Sequence, residues 1–178
     1  MKHSCVVKSA MSAALLGFLA LGMTSTSASA QANPATTTFQ VSATVLKDCI
    51  VSATAMGFGN YTGAINHAQS TVTVTCTSGT SYTVGLDAGK GTSATTSARQ
   101  MCAGACTTVA AGLNYGLYTD GGWTTIWGNS STAPLWVSGT GNGAGQGLTV
   151  YGQIPAGQYV SAAGTGVYTD TITATVTY

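Results

Sequence analysis

The chain predicts an all-β, antiparallel sandwich, and three observations carry that prediction. Apolar and hydroxyl residues alternate with a period of two in segment after segment, the pattern of a half-buried strand. Turns rich in Gly, Asn and Asp separate those segments at short spacing. Past residue 30 no stretch sustains a helical period, and Thr, which favours strands over helices, recurs throughout.

Taken in order, residues 1–30 read as a secretory signal peptide. Lys2, His3 and Lys8 form a basic start, Ala10 to Met23 an apolar core, and Ala28-Ser29-Ala30 a small-residue exit before Gln31. The apolar run, about 14 residues, is short for a spanning helix. Cys5 lies ahead of that core and is expected to leave with the signal. Export through the inner membrane follows as the expected route.

The segment Thr37 to Val45 then alternates strictly. Phe39, Val41, Ala43 and Val45 share one face, and Thr38, Gln40, Ser42 and Thr44 the other. On residues alone, this strand could fold back and complete its own domain, giving a self-contained secreted or coat protein, or it could pair elsewhere.

Further strands are expected at Ser70–Cys76, Tyr82–Leu86, Leu113–Tyr118, a shorter one at Trp123–Trp127, and Leu148–Ile154, stopped by Pro155. The last, Tyr168–Tyr178, places Ile172, Ala174, Val176 and Tyr178 on one face with Thr between them. Gly89–Ala98 and Ser138–Gly147 read as loops. Neither the Gly-x-Gly texture of the second nor Gly85 to Gly91 makes a phosphate cradle. The first does not lead from a strand into a helix, and the other has its glycines one residue too close.

Removing 30 residues from 178 leaves 148, one domain by length. Its charges are Lys47, Lys90 and Arg99 against Asp48, Asp87, Asp120 and Asp170. Three scattered cations cannot neutralise a run of phosphates, so nucleic acid is excluded as a partner. Four cysteines remain, Cys49, Cys76, Cys102 and Cys106, an even set that argues for two disulfides in an exported chain. Three pairings are open. Proximity favours Cys102–Cys106, which leaves Cys49–Cys76. A metal site is the competing reading of Cys-x-x-x-Cys, but His67 lacks ligand-like spacing to it.

Catalysis is poorly supplied. Four aspartates lie scattered, Asp48, Asp87 and Asp120 at predicted strand ends or turns where Asp bonds locally. No Gly-x-Ser-x-Gly elbow or cofactor motif occurs. Neither an enzyme nor a cofactor is expected. Trp123, Trp127 and Trp136 cluster in sequence. Trp127 and one neighbour read as core, while Trp123 and Trp136 are candidates for a lectin-like or adhesive surface.

A set of motifs in fixed order then brings a family into view. After the alternating opening strand come Met56-Gly57-Phe58-Gly59-Asn60-Tyr61 and Thr73-Val74-Thr75-Cys76. Next are Leu113-Asn114-Tyr115-Gly116-Leu117-Tyr118, Trp127-Gly128 and Gly152-Gln153-Ile154-Pro155-Ala156-Gly157-Gln158. Tyr168-Thr169-Asp170-Thr171-Ile172 runs on to Tyr178. Singly each is weak, but their order and spacing over residues 37–178 are specific. The chain resembles the spore coat protein U family, which includes pilins of archaic chaperone–usher pili. Cys102–Cys106 lies outside that pattern.

The resemblance implies an immunoglobulin-like sandwich over residues 47–178, incomplete by its last strand, preceded by a donor segment at 31–46. A periplasmic chaperone fills the resulting groove first. At an outer-membrane usher, the donor segment of an identical or related subunit replaces it, and the fibre reaches the cell surface to support adhesion and biofilm formation. By position the inserting residues are Phe39, Val41, Ala43 and Val45, and the accepting edge is Ile172, Ala174, Val176 and Tyr178. Burying one Phe and two Val in such a groove contributes about 5–8 kcal/mol.

Overall fold

A computed structural model describes residues 33–104, 112–158 and 165–178 of the chain, so the signal peptide and Cys106 lie outside the described residues. The chain divides into two units between Ser42 and Ala43, and every strand belongs to the second. Eight strands follow in order: β1 (Cys49–Ala53), β2 (Asn66–Cys76), β3 (Ser81–Leu86), β4 (Arg99–Cys102), β5 (Gly112–Tyr118), β6 (Val137–Thr140), β7 (Gln146–Ile154) and β8 (Ala174–Thr177). Among the described residues there is no helix.

All ladders are antiparallel. Five strands form one sheet in the order β1-β2-β7-β5-β4, and three form the other in the order β6-β3-β8. Each inward face is written by the alternation. Val72 and Val74 of β2, Val84 and Leu86 of β3, Leu117 of β5 and Val150 of β7 are buried together around Trp127. The Thr residues between them face outward, which lets a sparsely charged chain with no Glu stay wetted.

One flank of the sandwich is stitched by side chains. Arg99 of β4 is fully buried and donates to four backbone carbonyls: Nε to Asp87 O at 2.8 Å, Nη1 to Thr96 O at 2.8 Å, and Nη2 to Leu86 O at 3.0 Å and Trp127 O at 2.8 Å. Burial lowers its pKa, an effect opposed by Tyr115, Asp87 and Asp170. Trp127 completes the stitch. Its indole Nε1–H donates to Val84 O at 2.9 Å, and its own N–H donates to Leu117 O in the facing sheet at 2.9 Å.

Several expectations are corrected. The expected strand Trp123–Trp127 is a turn joined to β5 by one bridge, Tyr118 to Ile126. Asp120 takes up the N–H groups of Gly122, Thr124 and Thr125, and the turn geometry wins over pairing. The last strand is shorter than its alternation, since Tyr168–Thr173 lies outside any ladder and Thr169 bridges to Cys102 instead. The loop expected at Ser138–Gly147 contains most of β6 and the start of β7. Residues 33–48, including Thr37–Val45, belong to no strand, and Phe39, Val41 and Val45 are 85%, 81% and 83% exposed.

Candidate functional site

The opposite flank is open. Directly opposed residues of a ladder share a face, and Val51 and Ala53 of β1 stand opposite Val74 and Val72. Those β2 partners are fully buried, so Val51 and Ala53 also point inward. Yet Val51 is 37% exposed and Ala53 is exposed as well. Nothing among the described residues covers that inward edge.

Beside it lies β8, which pairs with β3 on one side and, among the described residues, with no strand on the other. Between the two edges is a cavity of about 390 Å³. Ala53 to Met56 and Phe58 form one wall, Tyr168 to Ala174 the other, and Val72, Leu86, Leu117 and Val150 lie at its floor. A neighbouring cavity of about 960 Å³ shares Met56, Phe58, Met101 and Tyr168 as lining.

Local chemistry sets each wall. Thr54 fastens the first, donating to Thr71 O at 3.0 Å and accepting from Thr71 N on its hydroxyl at 3.0 Å. Beyond it Met56 and Phe58 lie over β7 at Gly152, where any Cβ would strike the Met56 sulfur and the Phe58 ring. Phe58 meets Tyr115 edge-on, ring centroids 6.2 Å apart. Asn66 holds the turn from below, its Nδ2 donating to Phe58 O at 2.7 Å. The Met-Gly-Phe-Gly-Asn-Tyr motif is thus a wall of the groove.

Tyr168–Thr173 forms the second wall by crossing from one sheet toward the other. Thr169 and Cys102 exchange backbone hydrogen bonds of 2.9 and 3.0 Å. Thr173 N donates to Asp87 Oδ1 at 2.9 Å while Asp87 N donates to Thr173 O at 3.1 Å. Asp170 accepts from the Tyr115 hydroxyl, Lys90 N and Thr171 N, each at 2.7 Å. Burial, then the bond to Asp170, pushes the Tyr115 phenol far above its usual range, so it stays a neutral donor. Burial alone would raise Asp87, but hydrogen bonds from Thr173 and Gly89 and the Lys90 charge hold it below the usual carboxylate value.

The expected site residues divide accordingly. Ile172 and Ala174 line the groove, and Val176 packs against the core. Tyr178 is exposed, its hydroxyl donating to Asp48 Oδ1 at 3.3 Å. Ala43 is exposed like Phe39, Val41 and Val45. Cys49 and Cys76 are bonded, 27 residues apart, as the first rung of the β1–β2 ladder. Cys102 is also disulfide-bonded. Trp136 is 37% exposed beside exposed Leu135. Trp123 is half-buried on backbone with φ 52°, its ring stacked on His67 at 3.7 Å. Among the described residues no group of three His, Cys, Asp or Glu side chains could hold a metal. Asp170, Tyr115 and Met56 are the groove residues that sequence reasoning did not assign. The motifs containing them were the available signal.

No curated protein matches the chain. Among solved structures it is similar to a chain in the pre-assembly complex of the chaperone CsuC and the tip adhesion subunit CsuE. That complex comes from the archaic chaperone–usher Csu pili of Acinetobacter baumannii. The two are 25% identical with a TM-score of 0.50, over 76% of this chain and 40% of that one. This chain therefore spans less than half the length of its structural match, and the immunoglobulin-like sandwich is the shared part. The Spore Coat Protein U domain matches residues 35–175, a span holding β1 to β7, the start of β8 and both walls of the groove, and the chain belongs to that family.

Proposed function

We propose that this protein is a structural subunit of a chaperone–usher pilus, polymerising by donor-strand exchange. One observation carries the reading: two apolar surfaces of the same chain lack cover. The inward edge of β1 at Val51 and Ala53 faces β8, whose second side pairs with no strand among the described residues. Phe39, Val41, Ala43 and Val45 sit exposed on a segment that belongs to no strand. A strand from a second copy laid between β1 and β8 satisfies both, adding main-chain hydrogen bonds along β8 and side chains into the cavity.

On this reading the sandwich is complete only when another chain supplies its last strand. An unfilled groove exposes a strand edge beside apolar surface, a hazard for aggregation, so a periplasmic chaperone must occupy it in transit. An outer-membrane usher then exchanges chaperone for subunit. Residues 1–30 direct export, and the fibre lies at the cell surface, with Leu135 and Trp136 offering an exposed apolar pair for attachment.

Deleting residues 37–45 tests the reading. The subunit should still form its Cys49–Cys76 disulfide and bind chaperone, because the deleted residues belong to no strand. Detergent-resistant, heat-labile ladders on gels should vanish. Ladders that persist in the deletion would overturn the proposal. For attachment, Trp136→Ala should leave fibres intact and weaken surface adhesion severalfold; unchanged adhesion removes that part alone.

A further inference from the structure

We infer that Asp170 screens by charge what can fill the groove, turning away segments that bring a carboxylate to its end of the cavity. The inference rests on the groove being the seat of residues 33–46 from a second copy. Asp170 is the charged residue in an otherwise apolar and hydroxyl lining; Asp87, Lys90 and Arg99 lie near but do not line the cavity.

The carboxylate is fixed in place. Its Oδ2 accepts from the Tyr115 hydroxyl at 2.7 Å, and Oδ1 accepts from Lys90 N and Thr171 N at 2.7 Å each. Gly89 lies so close to Oδ2 that a Cβ there would overlap the carboxylate. Swinging Asp170 away from an incoming anion therefore breaks three hydrogen bonds. Arg99 attracts it through space, but four of its five N–H donors go to the carbonyls of residues 86, 87, 96 and 127.

The proposed occupant is complementary. Residues 33–46 carry no charged side chain, and the first charges, Lys47 and Asp48, follow the segment. The chain's own donor passes the screen that an acidic segment would fail.

An acid scan tests this with the full-length monomeric subunit and labelled peptides of residues 33–46. Four peptides carry a single Asp at position 39, 41, 43 or 45, and four carry Lys at the same positions. At one position Lys should outbind Asp by about tenfold, the scale of a like-charge contact discounted for partial exposure. At the other three the two should differ little. Asp170→Asn should erase the difference at that position. Tyr115→Phe keeps the carboxylate and should preserve the difference, which a purely structural role for Asp170 would not predict. Equal Lys and Asp affinities at all four positions overturn the inference, as does a Tyr115→Phe effect matching Asp170→Asn. If the unsubstituted peptide fails to bind, the donor-strand reading falls instead.

Discussion

The two flanks of this sandwich solve the same problem in opposite ways. Between β3 and β4 the sheets are stitched by Arg99 and Trp127, and the buried guanidinium donates to four carbonyls. Between β1 and β8 no ladder joins the two sheets among the described residues, and apolar residues such as Val51 stay partly exposed on the inward side. The stitched flank teaches why the open one can exist. On the donor-strand reading the two sheets must hold their places before the groove is filled, and polar fixings at β3 and β4 do that without occupying it.

The largest effect should come from cutting the stitch. Arg99→Met leaves four carbonyls, two of them buried and two partly so, without their donor and should cost about 4 kcal/mol, read as a fall in urea midpoint. A loss under about 1 kcal/mol would mean that the flanks do not divide their work in this way. Next, Cys49→Ser with Cys76→Ser removes the link that anchors β1 at the groove's edge and should cost about 3.5 kcal/mol.

Asp87 gives a smaller, pH-dependent term. Its folded pKa lies below the ordinary aspartate value of 3.8, so its stabilising contribution is fully present above that pH and fades as pH falls through the folded value. Melting temperatures of Asp87→Asn should therefore decline less steeply below pH 3.8 than those of the wild type. Identical acid slopes would remove Asp87 from the wall's support. Smallest in stability is Val51→Asp, within about 0.5 kcal/mol for the isolated subunit because the side chain is partly exposed. The same change should abolish ladders, since polymerisation would bury the charge. A Val51→Asp subunit that polymerises normally would place the seam elsewhere.

Strands whose inner face is covered were legible in the sequence, because burial on one side and solvent on the other enforce alternation. β2, β3, β5 and β7 all show it. β1 does not: Ile50 faces outward and Val51 faces an uncovered interior, so both are apolar and the period is lost. β4 hides for another reason. Arg99 and Gln100 are both buried, and a buried cation at an edge strand reads as surface until its carbonyl partners are seen. β6 lies inside a glycine-rich run that reads as loop, Gly139 leaving room for the Tyr82 ring across the ladder. At the groove, Ile172 and Ala174 were legible through the family motif. The joining of Met56, Tyr115 and Asp170 in one lining was not, because those residues are distant in sequence and come together only in the folded chain.

The Cys49–Cys76 bond has a mechanical consequence. In a fibre of such subunits, tension enters each sandwich through the chain just before Cys49 and leaves through the strand held in the groove between β1 and β8. A pull at Asp48 meets the disulfide as the first rung of the β1–β2 ladder. β1 therefore cannot be peeled rung by rung from its end. Load passes covalently into β2, the strand at the middle of the hydrogen-bonded run between β1 and β7. On the donor-strand reading, tension then reaches the seam between subunits without first peeling β1 from β2.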